Sequence, residues 1–227
     1  SSFHEIMPGA DGKKNVGKVI SDNYEVVEGS WPKNKNEVVL VLDENNSLSL
    51  TTVYELGLKS ASEYHDMMNQ LNSGDDVKTD TKKIDYSDVI DRTLKLLPAC
   101  DQYVKGDNGH WTYVGDDVDQ INALIDSDKA IDLKIVGVVK PVEDADATPL
   151  SSGVGYTRAL TNELIDRAEF SEIVTEQRSD KDHNVLNGMT FSPSDDATKA
   201  QDARDYVASL GVSSKAQMAQ NMMAAAG

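Results

Sequence analysis

The chain has one cysteine, Cys100, so no disulfide can form within it. That scarcity suits the cytosol and equally the exterior of a Gram-positive cell, where many proteins do without cysteine. Positive charge is also scarce: 22 Lys and Arg stand against 39 Asp and Glu, for a formal net charge of −17. Nucleic acid is bound by Lys and Arg that displace counterions, so this balance argues against such a partner. It argues equally against electrostatic docking on an anionic membrane. Long apolar runs are missing. The longest are five or six residues, such as 38–42, against the roughly 20 that a membrane-spanning helix needs. No signal peptide is visible and the first residue is Ser1, not Met, which leads us to expect a piece excised from a longer protein. Gly and Pro, at 15 and 6, are too few for disorder throughout. With 227 residues, 39% of them hydrophobic, the chain is long enough for one large domain or two small lobes.

Catalytic and metal motifs are present only as fragments. Gly153-Val154-Gly155 is half of a dinucleotide fingerprint, but Arg158 holds the third glycine position. Ser30 to Lys33 matches S-x-x-K and Ser21-Asp22-Asn23 matches S-D-N, as in penicillin-recognising enzymes. Here the two stand in reverse order, K-T-G is missing, and Pro32 disfavours the helix that would present Ser30 and Lys33 together. Asp43, Asn45 and Ser47 have the first ligand spacing of a calcium loop, but Leu48 and Tyr54 occupy positions six and twelve, where Gly and Glu belong. Four histidines, His4, His65, His110 and His183, lack zinc-ligand spacing, and Cys100 has no basic neighbour in sequence to make it a nucleophile. The expectation is a chain that is not an enzyme.

What is present is a mixture of helix and strand signals. A loop is expected over 1–15 and short strands over 16–21 and 24–28. The run EVVLVLD at 37–43 predicts a buried strand, followed by a turn at 43–46 and a helix over 50–56 stopped by Gly57. Capping-box spacing at 60–63 and the pattern Tyr64, Met67, Met68, Leu71 predict an amphipathic helix to about 72, with an exposed loop at 73–83. Strands are expected at 93–97 and 102–105, with 110–114 returning from the 106–109 turn as a hairpin. A helix over 116–126 would bury Val118, Ile121, Leu124 and Ile125. Residues 131–140 read as a central strand ended by Pro141, and 143–152 as a loop. Gly153 and Gly155 read as a tight turn into a helix over 157–168, whose apolar face is Leu160, Leu164, Ile165 and Ala168. Ile173-Val174 and Val185-Leu186 are short apolar pieces. A helix over 195–210 would carry Ala200, Ala203, Val207 and Leu210 on one face, and the Met- and Ala-rich tail from 213 reads as the start of a longer helix. The fold class is α+β.

Five residues are the candidates for ligand or partner contact. Trp31 and Trp111 each sit beside a turn, where an aromatic ring either covers a groove or anchors a loop. Glu143, Asp144 and Asp146 form an acidic loop that could take calcium opportunistically or, with the tryptophans, a cationic peptide.

Three segments together resemble one family: YEVVEGSWPK at 24–33, NEVVLVLD at 36–43 and LKIVGVVKP at 133–141, with YELGL at 54–58 between the last two and 153–156 behind them. In order and spacing they resemble the extracellular, MacB-like periplasmic core domain of a Gram-positive ABC transporter permease of the FtsX/MacB type. The resemblance runs from about residue 5 to 191. It implies a two-lobed α+β domain lying between two transmembrane helices of a cell-membrane permease, with both ends facing the membrane. The expected lobes are 1–57 plus 130–227, porter-like and membrane-proximal, and 58–129, inserted. The resemblance further implies no catalytic residue and no cofactor in the domain itself, since ATP is used by a separate ATPase subunit or domain. The implied partners are a second or paired permease copy, the cytoplasmic ATPase acting through the membrane part, and an extracellular peptide or protein. ATP-driven motion would be transmitted to substrate export or to that partner. The alternative is a stand-alone binding module for cationic peptides or another extracellular ligand.

Overall fold

The computed structural model of the chain describes residues 2–57, 66, 69–70, 72–74 and 85–226. In chain order its elements are β1 (Phe3–Glu5), α1 (Lys18–Asn23), β2 (Tyr24–Gly29), β3 (Glu37–Val41), α2 (Leu50–Glu55), β4 (Thr93–Leu96), β5 (Tyr103–Lys105), β6 (Trp111–Tyr113), α3 (Val118–Ile125), β7 (Ile131–Pro141), β8 (Gly153–Tyr156), α4 (Arg158–Glu169), α5 (Glu172–Ser179), α6 (Asp196–Ser209) and α7 (Val212–Ala226). The fold is mixed α+β, as expected. The chain packs as two compact units, Ser1–Leu96 with Ile131–Ile165 and Leu97–Ala130 with Asp166–Gly227. In these bounds 166–227 packs with 97–130, and 85–96 falls with the first unit. The expected capping box at 60–63, the apolar positions 64, 67, 68 and 71, and most of the 73–83 loop lie outside the described residues.

The first unit is a six-stranded sheet in the order β1-β8-β3-β7-β2, with β4 also on β7. Strand β7 is its longest member. One edge pairs in parallel with β3; along the other, β4 pairs antiparallel with 131–134 and β2 antiparallel with 137–141. Branched apolar residues suit this place because both faces are covered. Val38, Leu40 and Leu42 pack with Leu133, Ile135, Val138, Val154 and Leu160 in one core cluster. Val39 and Val41 pack with Ile6, Ile20, Tyr24, Val139 and Leu150 in another.

An extra residue in β7 connects the two clusters. Val38 pairs with Ile135 but Val39 pairs with Gly137, so Val136 is bulged out of the β3 ladder. A one-residue slip reverses which face each side chain meets. Before it Leu133 and Ile135 join the first cluster; after it Val139 joins the second. Opposite the bulge β2 ends at Gly29, with φ of 71°, and Ser30 donates its N–H to the Val136 carbonyl at 2.9 Å. A Cβ at Gly29 would overlap the Val136 carbonyl, and one at Gly137 the Ser30 carbonyl. The facing glycines let the backbones cross closely.

A second tie holds the return from β7 to β8. The Tyr24 hydroxyl is buried, donates to the Leu150 carbonyl at 2.8 Å and accepts from the Leu150 N–H at 2.9 Å. Burial raises its pKa above the ordinary phenol value. The loop between is held to Asn23, whose carbonyl accepts from Val142 N–H and whose side-chain oxygen accepts from Ala147 N–H.

Several expectations are corrected. Residues 18–23 are a helix, not a strand: the Gly17 carbonyl accepts from Ile20 and Ser21 N–H and closes a single turn despite Val19 and Ile20. Residues 3–5 are a strand, paired in parallel with β8, rather than loop. Gly153 to Tyr156 is that buried strand and not a turn. Residues 172–179 form a helix started by the Ser171 hydroxyl, which accepts from Val174 N–H. In α3, Val118 is 70% exposed instead of buried, and in α4 Ile165 is 56% exposed while Leu160 is buried. Expected and observed agree for β2, β3, β4, the β5–β6 hairpin and α6, apart from end residues.

In the second unit the hairpin turns at 106–109, where Gly106 N–H donates to the His110 carbonyl. Trp111 and Val114 are buried there. Arg167 joins this unit together, donating to the Asp101 carboxylate at 3.0 Å and to the Lys129 carbonyl at 2.7 Å.

Gly137→Ala is expected to lower stability by about 1–3 kcal/mol, because the new methyl must displace backbone at the bulge. The urea midpoint checks it; an unchanged midpoint would mean the crossing relaxes freely. Tyr24→Phe leaves the buried Leu150 N–H and carbonyl unpartnered and is expected to cost about 1–3 kcal/mol by the same measurement.

Candidate functional site

The bulge at Val136 aims the chain after β2 outward. Ser30 is held to Val136, the Trp31 ring packs half-buried against the second core cluster, and Pro32 is buried beside it. The next turn closes on Glu37, whose carboxylate accepts from Lys33 N–H at 2.6 Å, from Asn34 N–H at 3.2 Å and from the Asn34 side-chain amide at 2.9 Å. The Lys33 N–H, more than any other group, holds the Glu37 carboxyl below its usual pKa. Facing this turn is a second loop, closed at its base by Gly17 N–H donating to the Met7 carbonyl at 2.7 Å. Within it the Lys14 carbonyl accepts from Gly9 N–H, and the Asp11 carboxylate accepts from Lys13 N–H. Asn15 joins the loops: its side-chain amide donates to the Lys33 carbonyl at 2.8 Å and to the Pro32 carbonyl at 3.4 Å.

Between the loops lies a cleft of about 490 Å³ lined by Lys13, Lys14, Asn15, Ser30, Trp31 and Lys33 together with Val16 and Pro32. Three lysines and one tryptophan line one open depression. None of Glu143, Asp144 and Asp146 lines it; all three are exposed on the loop after β7. Among the described residues no group of three His, Cys, Asp or Glu is placed to hold a metal ion. The local charge beside Trp31 is therefore opposite in sign to what a cationic peptide would seek.

Trp111 belongs to the second unit. It is 6% exposed, and its indole N–H donates to the Glu176 carboxylate at 2.8 Å. Lys105 meets the same carboxylate through both oxygens, at 2.8 and 3.0 Å. The Lys105 hydrogen bond first, and that of Trp111 second, hold the Glu176 carboxyl below its usual pKa. The chemistry of Trp111 is thus that of a clamp between β6 and α5. A shallow apolar groove of about 530 Å³ lies in the same unit, among Tyr103, Ile173, Val174, Val185 and Leu186. Cys100 also lines it, with its thiol pKa pushed up by burial. Ser21 donates its hydroxyl to the Lys18 carbonyl inside α1 and is not among the residues lining the cleft of Ser30 and Lys33.

Of the five expected contact residues, Trp31 alone lines the cleft. The residues the sequence reading passed over are Lys13, Lys14 and Asn15. Their signal was a lysine pair directly after the Asp11-Gly12 turn, but which loop it would face depends on contacts across the sheet. The fold defines the class, a mixed α+β protein. No protein family, curated protein or solved structure matches the chain.

The Glu176 clamp makes stability depend on pH. Its folded pKa is depressed, so its contribution is present above the unfolded value of about 4.3 and is lost as pH falls through the folded value. The carboxylate is one-third exposed and screened, so Glu176→Gln is expected to cost less than about 1 kcal/mol at pH 7. In urea titrations the gap between wild type and variant should close below about pH 4. A pH-independent gap would assign the loss to packing instead.

Proposed function

We propose that this chain is a non-catalytic extracellular domain of an ABC transporter permease of the FtsX/MacB type. It would work by being moved. ATP would be used by a separate subunit or domain in the cytoplasm, and the motion carried through the membrane to export a substrate or to act on an extracellular partner. A second or paired permease copy would complete the machine.

The observation that carries this reading is the company kept by the three segments of the family resemblance. Residues 24–29, 37–41 and 131–141 are β2, β3 and β7, hydrogen-bonded neighbours around one core, and Gly153 to Tyr156 pairs with β3 beside them. Their place as neighbours in one sheet supports the reading.

Two measurements test the reading on the full-length protein. Its sequence should carry an apolar run of about 20 residues on each side of this stretch. In intact cells, a membrane-impermeant maleimide should label Asp107→Cys, placed in the exposed hairpin turn, in a Cys100→Ser background. Labelling only after lysis, or the lack of flanking spans, would overturn the proposal.

A further inference from the structure

We infer that the cleft beside Trp31 binds a phosphorylated small molecule, with the phosphate held by Lys13, Lys14 and Lys33 and a ring of the ligand laid against the Trp31 indole. The inference is independent of where the chain sits relative to a membrane.

The first support is a contrast among lysines. Of the described lysines in the first unit, Lys18, Lys35, Lys95, Lys134 and Lys140 each form an ion pair with a carboxylate. Lys13, Lys14 and Lys33 form none within the described residues, and all three line the cleft. Here the nearby acids are engaged elsewhere: Asp11 accepts from the Lys13 backbone, and Glu37 from the Lys33 and Asn34 backbones and the Asn34 amide. These carboxylates shape the two loops; the Lys33 charge still acts on Glu37, but none of the three lysines makes a close ion pair among the described residues.

The second support is that the cleft is built before any ligand arrives. The Gly17–Met7 hydrogen bond closes one loop, Glu37 closes the other, and Asn15 joins them. A site formed in advance loses little freedom on binding. Its volume lies within the range of small-molecule sites, roughly 300–1,000 Å³.

The third support is the chemistry of the donors. Lysine binds phosphate as a compact point charge, and three lysines line this cleft. Indole offers a wide apolar face to a sugar or base. The net charge of −17 opposes an approaching anion from a distance. At physiological salt that field decays over about 8 Å, so within the cleft the three local charges prevail.

The test is isothermal titration calorimetry on the whole 227-residue chain with ADP, glucose 6-phosphate, inorganic pyrophosphate and glucose. ADP or glucose 6-phosphate should bind, glucose should not, and pyrophosphate should bind more weakly than the better ring-bearing ligand. Which of the two binds better identifies the body as nucleoside or sugar. The triple variant Lys13→Gln, Lys14→Gln, Lys33→Gln should weaken binding at least about tenfold with its urea midpoint unchanged, since exposed lysines contribute little to stability. Trp31→Phe should weaken the ring-bearing ligand and leave pyrophosphate unaffected, a split that general unfolding would not produce. The proposal fails if neither phosphorylated ligand binds at about 1 mM. It fails equally if the triple variant binds as wild type, or if pyrophosphate matches the ring-bearing ligands.

Discussion

The single residue that β7 inserts at Val136 is the constraint on which the first unit depends. A strand with unbroken alternation would have sent Leu133, Ile135 and Val139 to the same side of the sheet. The bulge sends Val139 to the other side, so one strand supplies both core clusters. The same irregularity frees the Val136 carbonyl to accept from Ser30, and the pair of glycines opposite it lets that contact form. From there the chain leaves β2, seats Trp31 against the second cluster and opens the cleft. Packing and site geometry follow from one backbone event.

The acidity of the chain has a local use as well as a global one. Many of its carboxylates accept from nearby backbone N–H groups. Asp117 caps α3 through Gln120, Asp195 caps α6 through Thr198, and Asp43 closes a turn through Asn45 and Ser47. Such bonds favour the ionised form: the Gln120 side-chain amide first and its backbone N–H second hold Asp117 below its usual pKa, and the Thr198 backbone N–H does the same for Asp195. Turn and cap formation consumes acids that might otherwise be read as a metal or ligand cluster. Among the described residues the exposed trio Glu143, Asp144 and Asp146 is not part of a group placed to hold a metal ion.

Legibility followed the range of the interactions. Asp117, Ser49 and Asp195 each sit three residues from the N–H groups they cap, so the starts of α2, α3 and α6 rest on local spacing. The hairpin of β5 and β6 was legible because its turn is contiguous. By contrast β1 and β8 pair across some 150 residues, and each is too short to signal alone. Helix α1 runs through Val19 and Ile20 and α5 through Ile173 and Val174, branched residues whose local preference for strand was outweighed by packing.

By itself the sequence determined the buried central strands, the hairpin of β5 and β6, the mixed α+β class and Trp31 as an aromatic beside a turn, because each rests on neighbours within a few residues. Only the tertiary structure decided that β7 shifts its register at Val136, that Trp111 donates its indole N–H to Glu176, and that Lys13, Lys14 and Lys33 line one cleft with Trp31. Those outcomes depend on which distant strands share an edge and which loops they carry together, and no local propensity encodes that.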